Sequence, residues 1–355
     1  MTRIEKLRQK LPPGFSAAIV KDAYNRVYLT GFESSAGVLI VTEKNAYLLV
    51  DFRYYEAAKA QTADNIEVVL TDDECTQIFD IVKSSGAACA YIEDKISLAE
   101  FTRLKERLAN IELVSDSVLS DAVGVLRAVK EPGEIDAIKA AQCITDAAFS
   151  YILDFLRPGL AEREIAAELD YFMKKNGADD TAFPTICLCG EKTSMPHGVP
   201  GDGVVKNGGF VTIDFGAKKN GYCSDMTRTV AVGSVSDEQK MIYDVVLTAH
   251  IAATNAARAG ITGSELDKVA RDIINAHGFE GCFGHGLGHS LGLEVHEEPR
   301  ASAKDDSVLL PGMVMTIEPG IYIAGKFGVR IENMVAIEKS GCEQLTNSER
   351  QLIII

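Results

Sequence analysis

The first 196 residues of the chain contain no histidine, and all six histidines lie in the remainder. This removes imidazole from any acid–base or metal chemistry in the N-terminal half. Positive charge is also scarce. Lys and Arg number 36 against 51 Asp and Glu, a formal net charge of −15, so the basic surface that phosphate backbones require is missing and nucleic acid is not an expected partner. No run approaches the ~18 apolar residues of a membrane span. The opening MTRIEKLRQKLPPGF has charges but no apolar core of a signal segment. Eight cysteines are scattered with no CxxC pair, which fits a reducing compartment. These absences lead us to expect a cytoplasmic protein away from membranes. Cys223 and Cys282 fall near the chemistry described below but read as packing residues.

What is present is an ordinary globular composition, 46% hydrophobic and 25% charged over 355 residues, a length natural for two domains. From 14 to 120 strand and helix signals alternate. Strands are expected at Ala17 to Val20, Val27 to Thr30, Gly37 to Thr42, Tyr47 to Asp51, Val68 to Leu70, Ala90 to Ile92 and Glu112 to Val114. Helices are expected at Tyr54 to Ala60, near Thr76 to Lys83, and around Ala99 to Leu108. This is the pattern of an α/β domain with a mixed sheet.

A boundary falls near 120 to 132, where KEPG at 130 to 133 precedes a long amphipathic run from Glu134. A second helix is expected at Glu162 to Lys175, then strands at Pro184 to Cys189 and Phe210 to Phe215. The order repeats with helices at Glu238 to Arg258 and Gly263 to His277, and strands at Val314 to Ile317 and Val329 to Ala336. The halves share the words TIDFG (212 to 216) and TIEPG (316 to 320), each followed by a second acid, Asp225 or Glu332. We read an internal duplication, two helices then strands, twice, with a site expected at its pseudo-twofold axis.

Asp214 and Asp225 lie 11 residues apart in strand-like runs joined by AKKNG. A hairpin there would bring both carboxylates to one face, where like charges ask for a cation. Asp214, Asp225, His289, Glu318 and Glu332 form the candidate metal set. Four carboxylates and one imidazole are too hard for a structural zinc site. They suit two divalent cations with two acids shared between them: Mn²⁺ by ligand type, with Co²⁺ or Zn²⁺ as alternatives. The competing reading, solvated acids on strand faces, is opposed by the apolar words around them, VTID, MTIE and VRIE. Three histidines, His285, His289 and His296, fall within GHGLGHSLGLEVHEEP, and His197 lies in SMPHG. The glycines at 284, 286, 288 and 292 would let backbone approach closely. His250 and His277 lie in helical patterns and read as structural or surface residues.

The words SMPHG, VTIDFGAKKNGYCSDMTRT, GHGLGHSLGLEVHE, MTIEPGIY and GVRIEN resemble the metal-dependent Xaa-Pro peptidases, aminopeptidase P and prolidase. The resemblance is strong over 130 to 355. It extends more loosely to NRVYLTGFESSAGVLIVTE and VDFRYYEAA in the first domain. It implies a creatinase-like N-terminal domain over 1 to 125 and an α+β pita-bread catalytic domain over 126 to 355, with an internal pseudo-twofold duplication. It implies that Asp214, Asp225, His289, Glu318 and Glu332 ligate two metal ions, with Asp225 and Glu332 bridging. Substrate-facing roles follow for His197, His285 and His296, and Arg330 would steady the acids. One departure is GGF at 208 to 210, where the family often has GD; the ligand positions are untouched.

The implied substrate is a peptide with proline second, cleaved before the proline. His296 and the metals would stabilise the developing oxyanion, and Glu318 would carry a proton from water to the leaving nitrogen. His285 and His197 would shape the proline pocket. The leading expectation is an Xaa-Pro aminopeptidase; an Xaa-Pro dipeptidase acting on dipeptides alone is the alternative. A non-hydrolytic binding protein of the same fold is opposed by the filled ligand positions, and a methionine aminopeptidase by the extra N-terminal domain and Arg330. The resemblance also implies a homodimer.

Overall fold

The computed structural model describes residues 1–108 and 110–355. The chain divides into two compact units, Met1–Arg127 and Ala128–Ile355.

The first unit runs α1 (Arg3–Lys10), β1 (Ala17–Val20), α2 (Ala23–Thr30), β2 (Val38–Thr42), β3 (Ala46–Val50), α3 (Tyr55–Gln61), β4 (Glu67–Leu70), α4 (Glu74–Ser84), β5 (Cys89–Ile92), α5 (Leu98–Arg107), β6 (Glu112–Val114) and α6 (Val118–Ala128). Its six-stranded sheet has the order β4-β3-β2-β1-β5-β6. The β1–β2 and β2–β3 pairs are antiparallel and the other three parallel, so the sheet is mixed, as expected. Ile19, Ile40, Leu49, Ile78, Val82 and Leu104 belong to one buried cluster. One expectation fails: Val27 to Thr30 is the end of α2, not a strand. The β-branched and aromatic residues there resemble a strand locally, but the caps decide. Asp22 accepts from the Asn25 amide, and Gly31 ends the helix at φ 74°. Buried Arg26 then fixes the helix by donating to the carbonyls of Lys21, Ser34 and Gly37.

The second unit starts with the helix pair α7 (Pro132–Phe155) and α8 (Glu162–Lys175), followed by β7 (Asp180–Thr181), β8 (Ile186–Cys189) and a 3₁₀ turn at Gly190–Ser194. Next come β9 (Gly209–Phe215), β10 (Ala217–Lys219), β11 (Tyr222–Cys223) and β12 (Met226–Val232). The second helix pair is α9 (Asp237–Ala256) and α10 (Gly263–Ala276). The chain finishes with β13 (Gly288–Ser290), β14 (Glu297–Ala301), β15 (Val314–Ile317), β16 (Gly320–Ile323), β17 (Phe327–Arg330), β18 (Asn333–Glu338) and β19 (Gly341–Gln344).

The duplication is visible in this order. Residues of α7 and α8 form one core with β8, β9 and β12; residues of α9 and α10 pack in another with the sheet β14-β13-β15-β18-β19. An isolated antiparallel bridge precedes the second helix of each pair, Ala161 to Val204 and Thr262 to Val308. Two local readings need correction. Asp225 lies outside a strand, in the two-residue break between β11 and β12. The AKKNG segment forms its own small hairpin, β10–β11, turning at Asn220 and Gly221, both with positive φ. That hairpin folds back tightly: a Cβ on Gly216 would stand 1.9 Å from the Ser224 carbonyl oxygen. Val329 to Ala336 is not one strand either. The chain leaves β17 at Arg330, and the Glu332 amide donates to the Thr227 carbonyl before β18 begins. Each of the second acids of the two halves therefore sits at a break just before a strand.

Candidate metal and substrate site

All nine side chains singled out from the sequence line one cavity of about 610 Å³ in the second unit. Asp214 is carried by β9, with Thr227 of β12 opposite it. Asp225 and Glu332 immediately precede β12 and β18, and Glu318 immediately follows β15. His289 is the centre of β13. That strand can lie against β15 because of Gly288, where a Cβ would meet the Thr316 carbonyl at 2.0 Å. Among the other glycines of that word, Gly286 and Gly292 are also close to neighbours, whereas Gly284 is open, so close approach does not explain it.

Ligand atoms of Asp225, His289 and Glu332 lie within 4.8 Å of one another. His289 Nε2 is 3.6 Å from Asp225 Oδ2 and 3.5 Å from Glu318 Oε1. Its Nδ1 faces the Ser290 carbonyl at 3.1 Å, which leaves Nε2 for the acids. Arg330 stands behind the acids, with Nη2 2.6 Å from Asp214 Oδ2 and Nε 3.0 Å from Thr227 Oγ1. Thr227 in turn donates to Glu332 Oε2 at 2.7 Å. Arg330 Nη1 reaches the Tyr322 hydroxyl at 3.0 Å, and that hydroxyl is 2.8 Å from His285 Nε2. The His296 ring meets His289 edge to face, 4.4 Å between centroids.

Sequence reasoning passed over Thr227, Tyr322 and Arg300. Thr227 and Tyr322 stand inside quoted words, yet neither residue type signals its partners before the strands are folded together. Arg300 lines the same cavity, with Nε on Glu298 at 3.1 Å.

The electrostatics follow from burial. Burial first, then Glu332, Asp214 and Glu318, push the Asp225 carboxyl well above the usual range. Burial, Glu318 and Asp214 do the same to Glu332. Burial pushes Glu318 up to about 8 against the opposing charge of Arg330. Burial, then His296, takes His289 down to about 3, so its imidazole is neutral and available as a ligand. Burial and Arg330 hold His285 at about 4. Desolvated, mutually repelling acids around a neutral imidazole are the donor set that divalent cations neutralise. Asp214 Oδ1, buried and without a hydrogen-bond partner among the described residues, is an open ligand atom aligned with this reading. The residues fit divalent metal.

The combination defines a two-unit protein whose second unit carries a divalent-metal site built from acids of both halves of its duplication. Residues 136–339 match the metallopeptidase family M24, and residues 3–129 match the creatinase/prolidase N-terminal domain; the chain belongs to the M24 metallopeptidases. It is 40% identical over 338 residues to an Xaa-Pro dipeptidase of Pyrococcus horikoshii, covering 95% of this chain and 94% of that one. It resembles the solved Xaa-Pro dipeptidase of Bacillus anthracis, with TM-score 0.96, 40% identity and 99% of each chain covered. It also resembles the solved X-Pro aminopeptidase of Thermotoga maritima, with TM-score 0.92, 38% identity, 99% of this chain and 100% of that one covered. Among the described residues no helix is long and apolar enough to cross a membrane.

Proposed function

We propose that the enzyme hydrolyses Xaa-Pro bonds with two Mn²⁺ ions held by Asp214, Asp225, His289, Glu318 and Glu332, and that dipeptides are its preferred substrates. The metal pair, when bound, supplies Lewis acidity toward the scissile carbonyl and lowers the pKa of the attacking water. The chain's own groups do the rest. Glu318, which follows β15 into the cavity with Oε1 3.5 Å from His289 Nε2, takes the proton of the attacking water and delivers it to the proline nitrogen as the bond breaks. His296 stands at the cavity and donates to the carbonyl oxygen as charge develops. Phe183, Pro184, Ile186 and Val295 give the cavity apolar wall that suits a pyrrolidine ring and excludes water. His197 and His285 flank the ring. The leaving nitrogen belongs to a tertiary amide, so the site needs no acceptor for a substrate N–H there.

The preference for dipeptides rests on Arg300. The sequence favoured aminopeptidase action, but it did not single out this residue. About half the Arg300 side chain is exposed, and its two Nη groups have no partner among the described residues. Its charge acts on His296, His289 and Glu318. A guanidinium held at Nε by Glu298, with both Nη groups open beside the reacting groups, is suited to a free carboxylate, which a dipeptide places one residue beyond the scissile bond. The aminopeptidase reading keeps one supporting observation. A second depression of about 390 Å³ adjoins the first at Pro196, His197 and His285 and continues along Gly281, Cys282 and Gly284, room for a longer chain.

Hydrolysis of Ala-Pro and Ala-Pro-Ala with added Mn²⁺ decides between them. The dipeptidase reading expects the dipeptide to be cleaved and the tripeptide spared, with Arg300→Gln raising KM for Ala-Pro at least ~10-fold through loss of a charge-assisted pair. Efficient cleavage of the tripeptide at its first bond, indifferent to Arg300→Gln, would establish the aminopeptidase instead.

A further inference from the structure

The His285 loop is held from outside the cavity by one ion pair on α10. Arg271 Nη1 donates to the Phe283 carbonyl at 2.8 Å and Nη2 to the His285 carbonyl at 2.8 Å. The same guanidinium is gripped by Asp267, with Nε on Oδ2 at 2.7 Å and Nη2 on Oδ1 at 2.9 Å. Asp267 is fully buried, and its Oδ1 also accepts from the Leu287 amide at 3.0 Å. The pair therefore makes three bonds to the backbone of 283–287. It acts on the rings as well. The Arg271 guanidinium lies 4.4 Å above the Phe283 ring, and Phe283 meets the His285 ring edge to face at 5.0 Å.

The loop has no regular structure between Phe283 and Leu287, and Gly284 and Gly286 give its backbone wide freedom. Left to itself such a segment samples many φ/ψ states, and the His285 ring would sample them with it. We infer that Asp267 and Arg271 are positioning residues: by fixing the Phe283 and His285 carbonyls and the Leu287 amide, they hold the His285 imidazole against Tyr322 and aimed into the substrate cavity. Neither residue lines that cavity; they act through His285. The inference rests on the reading of His285 as a substrate-facing group. Lys at 271 preserves the charge and the pairing with Asp267 but lacks the planar fork that reaches two carbonyls at once. A displacement on the order of 1 Å in a positioned group costs up to ~100-fold in rate.

The test is a double-mutant cycle on kcat/KM for Ala-Pro in the Mn²⁺-loaded enzyme, with Arg271→Lys and Arg271→Ala each made in the parent and in His285→Ala. Melting curves and Mn²⁺ titration calorimetry are recorded for all six proteins. The expected result is a loss of ~10- to 100-fold for Arg271→Ala in the parent, a smaller one for Arg271→Lys, and less than ~2-fold for either in the His285→Ala background. Mn²⁺ binding stays unchanged throughout. Equal losses in both backgrounds, no loss in the parent, or failure of both Arg271 variants to fold would each overturn the inference. Full activity of His285→Ala on its own would instead remove the role given to His285, a failure distinct from that of the clamp.

Discussion

Arg330 holds one oxygen of Asp214 and leaves the other open: Nη2 lies 2.6 Å from Oδ2, while Oδ1 is buried without a hydrogen-bond partner among the described residues. A carboxylate held this way is oriented before a cation arrives. The same guanidinium bonds Thr227 Oγ1 and the Tyr322 hydroxyl, and Thr227 orients Glu332. One side chain thus sets two acids, one from each half of the duplication. Lysine, a point charge on a flexible stem, cannot make all three contacts at once. Arg330→Lys should weaken Mn²⁺ binding ~10- to 100-fold, the usual consequence of losing the groups that orient metal ligands. Calorimetric titration with Mn²⁺ measures it; an unchanged affinity would mean that Asp214 orients itself.

Metal removal should destabilise the protein in a pH-dependent way. The folded-state pKa values of Asp225, Glu318 and Glu332 are raised. Well above those values each acid is charged in both folded and unfolded chains, and the native state bears the full repulsion. As pH falls through the folded values, the native state binds protons that the unfolded chain does not. The metal-free protein therefore gains stability as pH falls, until the unfolded pKa is reached. Protons then do part of the cations' work. The gap in melting temperature between Mn²⁺-loaded and chelator-treated protein should be wider at pH 8 than at pH 6. A gap that is constant or widest at pH 6 contradicts the coupling.

His289 and His296 should separate by what they lose. His289 Nε2 points at Asp225 and Glu318, so His289→Ala should purify with reduced metal content and little activity. His296 touches His289 only ring against ring and is solvent-exposed. His296→Ala should keep its metal and lose kcat by ~10²- to 10³-fold, the cost of removing one donor to a developing oxyanion. Elemental analysis beside steady-state kinetics tests both; a metal-depleted His296→Ala would make His296 a ligand.

Much of this site was legible because its acids recur at matching places in a duplicated unit. TIDFG and TIEPG mark the two strands, and the apolar residues around each acid announce burial. The expectations that failed turn on caps and tertiary contacts that periodicity does not carry. Val27, Tyr28 and Thr30 look like a strand until Asp22 and Gly31 cap them as a helix. Val329 to Ala336 looks continuous, yet Glu332 turns aside to pair with Thr227. Tyr322 and Arg300 were invisible for a related reason. A tyrosine or arginine becomes part of a site through what folds beside it, and nothing in its own neighbourhood of sequence names that partner.

His250 offers the last prediction, away from the cavity. It lies wholly buried in α9, and neither ring nitrogen has a hydrogen-bond partner among the described residues. Burial, reinforced by the charges of Arg228 and Arg350, takes its pKa down to about 3. The folded protein therefore keeps it neutral while the unfolded chain protonates it near pH 6.5. Its effect on stability is absent above that value and grows as pH falls toward about 3. At pH 5 it amounts to about 2 kcal/mol lost. Leucine has a similar volume and no nitrogen to desolvate. His250→Leu should melt at or above the parent at pH 7, and its advantage should increase steadily down to pH 5. Melting curves of parent and variant that stay parallel over that range would show that His250 is not held neutral by its surroundings.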